Sequence, residues 1–550
     1  MSRTRQSYSA HQDSFARDHL PAPDQWPHFN FDRPELRYPA RMNCATELLD
    51  RVVTEGDGDR AAIHASIAEG EGATATYRQV LHRANQIAQV LRDDLGLVPG
   101  TRVLLRAPNN PMMAACWFGV MKAGCIAVAT MPLLRAKELQ PVIDLAKVQV
   151  ALCDFRLREE MEKAQIACPH LQTVLYFNDG GPGSLEALLA AKSGQFKNVE
   201  TAADDVALIA FTSGTTGQPK GTMHFHRDVM AMCDLFPRSC LMSTADDIFC
   251  GTPPLAFTFG LGGMLCFPFR ARASTVLSER LTPESLLATV EQFRATVLFT
   301  APTFFRMMAP LAAKYDLSSL RRCVSAGEAL PDATRQLFKQ ATGIEIIDGL
   351  GSTEMIHIFV SHRVDDVRPG ATGYAIPGYE VAVLDAQGKP CPPGTVGRLA
   401  VKGPTGCRYL SDPRQADYVQ NGWNLTGDAY RMDADGYLYY QARTDDMIIS
   451  AGYNIAGPEV ESTLLTHPAV SECGVVGKPD PERGQIVKAY VVLNAGHVAG
   501  PELTKTLQEY VKATVAPYKY PREIEFVASL PRTGTGKLQR FALREMAAAG

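Results

Sequence analysis

Residues 206–221 read VALIAFTSGTTGQPKG, an apolar run that breaks into a loop of Gly, Ser and Thr and ends on a lysine. The run VALIA suits a buried strand. Thr212, Ser213, Thr215 and Thr216 carry hydroxyl donors, and Lys220 adds a positive charge. Gly214, Gly217 and Gly221 let the backbone turn tightly and approach an anion. Such a loop can wrap polyphosphate oxygens with N–H and O–H groups. By composition alone it equally describes a plain surface loop, so its surroundings must decide.

Those surroundings alternate. TRVLLRA (101–107) and CIAVAT (125–130) read as strands around a helix over 112–122. TVLFTAP (296–302) follows TPESLLATVEQFRA, in which Thr282 is placed to cap a helix and Pro283 to begin it. From about residue 70 to 360 this predicts a mostly parallel α/β sheet architecture. After 361, short β-like pieces (YEVAVLD, GRLAVKG, GYLYYQ) sit between Gly, Pro and Asp turns, which predicts a small β subdomain. From about 446, two helix candidates and two strands (CGVVGK, QIVKAYVVLN) predict a small α+β domain.

A chain of 550 residues is too long for one core. Its net charge of −4, without a long basic run, argues against nucleic-acid or anionic-membrane partners. Thirteen cysteines include no C-x-x-C pair and no zinc-like Cys/His spacing, which favours reduced thiols in a cytoplasmic protein. The opening MSRTRQSYSAHQDSFARDHL has no apolar core, so no secretory signal is expected. The most apolar stretch, AACWFGVMKAGCIAVATMPLL (114–134), contains Lys122, Gly119 and Gly124 and predicts a buried helix followed by a strand rather than a membrane span.

The exact order TSGTTGQPKG resembles the phosphate loop of the adenylate-forming superfamily, which includes acyl- and aryl-CoA ligases, and further matches follow in order. SAGEALP (325–331) resembles the adenine-side turn, which implies that Gly327, Glu328 and Ala329 line the nucleotide and acid. GLGSTEMIH (349–357) resembles the Y-G-x-T-E element, which implies Asp348 and Gly349 beside the nucleotide. There Thr353 would touch the α-phosphate and Glu354 would ligate Mg²⁺, a role suited to a carboxylate. WNLTGD (423–428) implies Asp428 on the ribose hydroxyls, and ARTDDMIISAGYN (442–454) implies Arg443 on ribose or phosphate, Asp445 as a hinge and Gly452 at a thiol tunnel. The usual glycine before this arginine is Ala442.

LPRTGTGKLQR (530–540) fails the P-loop pattern: Pro531 holds the first glycine position and Leu538 follows Lys537. It resembles instead the superfamily's C-terminal lysine element, with Arg532 replacing the usual lysine. The resemblance implies that Lys537 catalyses adenylation and that ATP, Mg²⁺ and coenzyme A are used. It also implies a large domain (1–444) of two α/β subdomains and a small β-barrel subdomain (361–444), followed by a small mobile α+β domain (445–550).

PPLAFTFGLGG (253–263) matches the acid-gate element and contains no acidic residue, which disfavours an α-ammonium substrate. Phe257, Thr258, Phe259, Gly327, Gly351, Ile356 and His357 are the candidate acid pocket. Phe257 and Phe259 suit an aryl ring. STEMIHIF and the opening AHQDSFARDHLPAPDQWP resemble benzoate- and 2-aminobenzoate-CoA ligases. The expected substrate is therefore a small aromatic carboxylate, and His357 is placed to donate a hydrogen bond to it. A medium-chain acyl-CoA ligase, or a free-standing adenylation enzyme that loads a carrier protein, shares the same motifs. A monomer or homodimer is expected.

Overall fold

Strands rich in Val, Ile, Leu and Ala supply two large sheets in this computed structural model, which describes residues 8–549 except 66–73, 214–218, 444–445, 451–452, 482, 516 and 533–536. One sheet has six strands in the order 173–177, 150–154, 102–106, 126–130, 206–213, 219–225. The first five run parallel, and the last turns back antiparallel. Val103, Leu104 and Leu105 are all fully buried, as expected of a strand covered on both faces. Residues 214–218 thus join two antiparallel strands, with Ser213 paired to Pro219.

The second sheet has nine strands, ordered 374–375, 358–361, 346–351, 322–326, 297–300, 248–251, 274–277, 61–65, 74–76. Its central strands are parallel, and 346–351 pairs antiparallel with 358–361. Residues 352–357 are the connection between those two. The helix Pro283–Phe293 begins as the sequence predicts, with the Thr282 hydroxyl accepting from Ser285 N at 3.2 Å.

The apolar stretch 114–134 divides into the helix Pro111–Lys122 and the strand Ile126–Thr130. Lys122 is fully buried and gives its ammonium to both oxygens of Asp50, at 2.6 and 2.7 Å. The pairing offsets the cost of burying a charge. Among the described residues no helix is long and apolar enough to cross a membrane.

The β subdomain is a five-stranded antiparallel sheet of 380–384, 396–402, 423–432, 419–420 and 438–443. Its described pairings leave the sheet open, so the barrel expected there is not closed. The C-terminal sheet comprises 453–455, 448–450, 484–493, 470–480 and 523–526. The helices Gly457–Leu464 and Pro501–Thr514 pack on it through Val460, Leu464, Leu507 and Val511. This unit meets the nine-stranded sheet: Arg306 Nε donates to Ser471 O at 3.1 Å, and Leu538 N donates to Glu328 Oε1 at 3.3 Å. All thirteen cysteines are unpaired, and all but Cys391 are buried.

Candidate active site

The ends of both large sheets converge on Glu354. This buried carboxylate accepts from Tyr409 Oη at 2.5 Å, and Lys220 Nζ lies 3.5 Å from the same oxygen. Lys220 also donates to Tyr409 Oη at 2.8 Å. Burial, reinforced by Glu354, raises the Tyr409 phenol far above its ordinary pKa, so the hydroxyl keeps its proton. Thr353 and Glu354 sit in a turn closed by Ile356 N donating to Thr353 O at 3.1 Å. Ile356 takes φ +66°, an uncommon conformation for a β-branched residue. Such strain gathers at functional sites.

On the hairpin side, Thr212 Oγ1 is buried and has no hydrogen-bond partner among the described residues. A buried hydroxyl left unpaired is costly, so this one suits a ligand oxygen. Gly214, Thr215, Thr216 and Gly217 lie outside the described residues, as do Asp445 and Gly452. Ser213 ends its strand opposite Pro219.

Asp428 and Arg443 are register partners on neighbouring strands and form an ion pair at 3.2 Å. Burial raises the Asp428 carboxyl above the usual range, and Arg443 opposes the rise. Asp348 is deeper still. Its Oδ1 accepts from Gly349 N at 3.0 Å, and burial lifts its pKa to about 8. A protonated Asp348 can donate as well as accept.

Lys537 is carried into this cleft by the C-terminal unit. A Cβ on Gly327 would lie 3.4 Å from Lys537 Cε and 3.6 Å from Nζ. That is ordinary contact; the glycine is called for by the backbone instead, since Gly327 has φ +90°. Loss of surrounding water lowers the Lys537 pKa; Glu328 opposes that shift and Arg443 adds to it. Glu328 holds the incoming segment through Leu538 N, and Ala329 is exposed beside it.

The acid side is aromatic. His357 is ringed by Phe267, Phe259 and Phe236 at centroid distances of 4.5, 5.6 and 5.9 Å. Phe299 stands 5.7 Å from Phe259. Gly262 leaves room for the imidazole, since a Cβ there would come within 2.3 Å of His357 Cδ2. Gly351 is packed against the His357 backbone. Burial drops the His357 pKa to about 3, so the ring is neutral near pH 7. Its Nε2 lies 3.3 Å from Phe259 O, which can only accept. The proton is therefore on Nε2, and Nδ1 can only accept. This revises the sequence expectation of a donor. Phe257 precedes the short helix Thr258–Leu261, half-buried, and makes no ring contact with His357; Thr258 is buried.

Comparison with known proteins fits this geometry. A model of AMP-binding enzymes matches residues 49–409, and one of the AMP-binding enzyme C-terminal domain matches 459–537. The chain belongs to the AMP-binding enzyme family. It is 35% identical to benzoate–CoA ligase of Thauera aromatica over 93% of this chain and 97% of that protein. It is 34% identical to the mouse mitochondrial acyl-coenzyme A synthetase ACSM5 over 85% and 84%. Among solved structures, the anthranilate CoA ligase AuaEII in complex with anthranoyl-AMP matches with a TM-score of 0.89 at 33% identity, covering 94% of this chain and 99% of that one. A benzoate CoA ligase from Burkholderia xenovorans LB400 matches with a TM-score of 0.83 at 31% identity, over 92% and 100%. The chain thus sits among the acyl- and aryl-CoA ligases of its family.

Sequence reading missed Phe236, Phe267 and Phe299, which look like ordinary core residues, and Tyr409, which carries no motif of its own. Two helices carry Phe236 and Phe267 there, a strand carries Phe299, and a bridge to Thr222 places Tyr409.

Proposed function

We propose that this family member activates a small aromatic acid, 2-aminobenzoate ahead of benzoate, with ATP and transfers it to coenzyme A. The observation that carries the choice of acid is His357 Nδ1, which is buried and has no partner among the described residues. It is an acceptor within an aromatic nest that contains no carboxylate. An ortho amino group would supply the missing donor, and the phenylalanines would flank the ring. The benzoate and anthranilate ligases among its relatives support the same class.

In the first half-reaction the acid's carboxylate oxygen attacks the ATP α-phosphorus, giving acyl-AMP and pyrophosphate. Two anions must meet, so the barrier is largely electrostatic. Lys220 and the hairpin loop hold the β- and γ-phosphates, Thr353 touches the α-phosphate, and Asp428 and Arg443 take the ribose. Lys537 is a point charge between the reacting oxygens. Among the described residues no cluster of three His, Cys, Asp or Glu side chains could hold a metal. One carboxylate, with phosphates and water completing the shell, is what magnesium accepts, so Glu354 fits. Bound there, Mg²⁺ neutralises phosphate charge.

In the second half-reaction the thiol attacks the acyl carbonyl and AMP leaves, so no protein nucleophile is needed. The C-terminal unit, from about residue 445, turns about Asp445 to withdraw Lys537 and bring Gly452 to a pantetheine channel. We place the enzyme in the cytoplasm.

A panel measuring pyrophosphate and acyl-CoA release from benzoate, 2-aminobenzoate, salicylate, 4-hydroxycinnamate and octanoate tests the reading. The highest kcat/KM is expected for 2-aminobenzoate. Preference for octanoate would replace the aryl reading with a medium-chain one. Acyl-AMP formation without transfer to CoA would favour a carrier-protein acceptor.

A further inference from the structure

Residues 408–410 are distant in sequence from both nucleotide elements, yet they pair with one of them. Met223 N donates to Arg408 O, and Leu410 N to Gly221 O, each at 2.8 Å. The segment lies along the strand Pro219–Phe225, with Thr222 and Tyr409 bridged antiparallel. Successive side chains then leave on opposite faces. On one face, the Tyr409 hydroxyl sits between Lys220 and Glu354. On the other, Arg408 pairs with Asp228, whose Oδ2 is 3.6 Å from His224 Nδ1. His224 Nε2 donates to Thr353 O at 2.7 Å. The side chains of Arg408, Asp228 and His224 are all fully buried.

We propose that Arg408 and Tyr409 form a two-sided clamp on the turn Thr353–Glu354, with Tyr409 and His224 as positioning residues for adenylation. The inference rests on reading Glu354 as the carboxylate that meets the magnesium–triphosphate. Lys220 and Glu354 are flexible side chains of opposite charge. Left alone they would close from their 3.5 Å ion pair to a direct hydrogen bond, each masking the other from the nucleotide. The phenol between them accepts a hydrogen bond from the ammonium and donates one to the carboxylate, which holds the pair at that wider separation. Below, the Thr353 carbonyl accepts from Ile356 N within the turn and from His224 beneath it. Two donors from different directions fix the height of a turn whose Ile356 is strained.

Tyr409→Phe keeps the ring that Lys220 approaches at 4.8 Å from its centroid and removes only the hydroxyl. In ATP–pyrophosphate exchange, the Mg²⁺ concentration for half-maximal rate and the KM for ATP should each rise about tenfold, the scale of one lost charged hydrogen bond. The KM for the acid and the rate of CoA transfer from supplied acyl-AMP should stay within about twofold, because a general loss of fold would move all four. Unchanged Mg²⁺ and ATP dependence in Tyr409→Phe overturns the clamp. Glu354→Gln separates the two readings. If it exchanges normally, the role of Glu354 itself fails; if it is inactive while Tyr409→Phe behaves as wild type, only the clamp fails. Should Tyr409→Phe not accumulate, His224→Leu and His224→Gln read the lower jaw. The leucine variant should shift the Mg²⁺ requirement, and glutamine, which keeps an N–H donor, should restore it. Equal behaviour of the two overturns the His224 contact.

Discussion

The two halves of the cleft are built by opposite means. On the nucleotide side, Lys220, Tyr409 and Glu354 satisfy one another, and so do Asp428 and Arg443. On the acid side, His357 lies among phenylalanines with one ring nitrogen unanswered. The polar half holds its charges at defined separations, so in the proposed reading its ligand would exchange one set of ion pairs for another. The apolar half offers one buried acceptor, so in that reading its ligand would be chosen by fit and by a single hydrogen bond. Buried polar groups left unmatched discriminate strongly. Selectivity for the acid should therefore hang on fewer residues than affinity for the nucleotide.

The largest break in this contrast should come from Lys537→Ala. Acyl-AMP formation is expected to fall by about three orders of magnitude, on the scale of a lost preorganised charge. Transfer of supplied acyl-AMP to CoA should persist, as read by single-turnover thioester formation. Equal loss of both halves would show that the lysine is not confined to adenylation. Next, Asp428→Ala should raise the KM for ATP by roughly ten- to a hundredfold, the range for losing charge-assisted hydrogen bonds. The KM for the acid should barely move, and a matching rise there would erase the proposed division between the halves.

His357→Leu tests the apolar half. It fills similar space and removes the acceptor, so the preference for 2-aminobenzoate over benzoate in kcat/KM should drop about tenfold. An unaltered ratio would detach His357 from the ortho position. The smallest effect concerns pH. Asp348 titrates at about 8 when folded, against an ordinary value of 3.8, so the folded chain binds this proton more tightly. Its cost to stability is absent below about pH 4 and grows until about pH 8. Asp348→Asn should therefore gain Tm over wild type progressively as the pH rises from about 5 to 8, then level off. A gain independent of pH would place the effect elsewhere than in this ionisation.

The candidate nucleotide-side elements could be named from the sequence because each is a contiguous motif. FTSGTTGQPKG, GLGSTEMIH and WNLTGD are fixed by local demands for hydroxyls, glycines and a carboxylate at set spacings. The α/β architecture followed from alternating periodicity, and Lys122 correctly divided the apolar stretch 114–134 into a helix and a strand. Over 361–444 the expected β subdomain is an antiparallel sheet whose described pairings stay open, because short β-like runs do not reveal whether a sheet's first and last strands meet. Phe257 was expected as a gate beside Phe259, but adjacency in sequence did not place it against His357.

By itself the sequence determined the family and the absence of a carboxylate in the acid-gate element, and it named the candidate phosphate-handling groups, since these depend on residue identity within short windows. Only the tertiary structure decided which nitrogen of His357 carries its proton, which phenylalanines surround it, that Lys537 comes up beside Gly327 and that Tyr409 stands between Lys220 and Glu354. Those facts come from helices, strands and loops up to about two hundred residues apart meeting in the folded chain, and from burial that removes water from charged and polar groups. Neither is a property of any local stretch of chain.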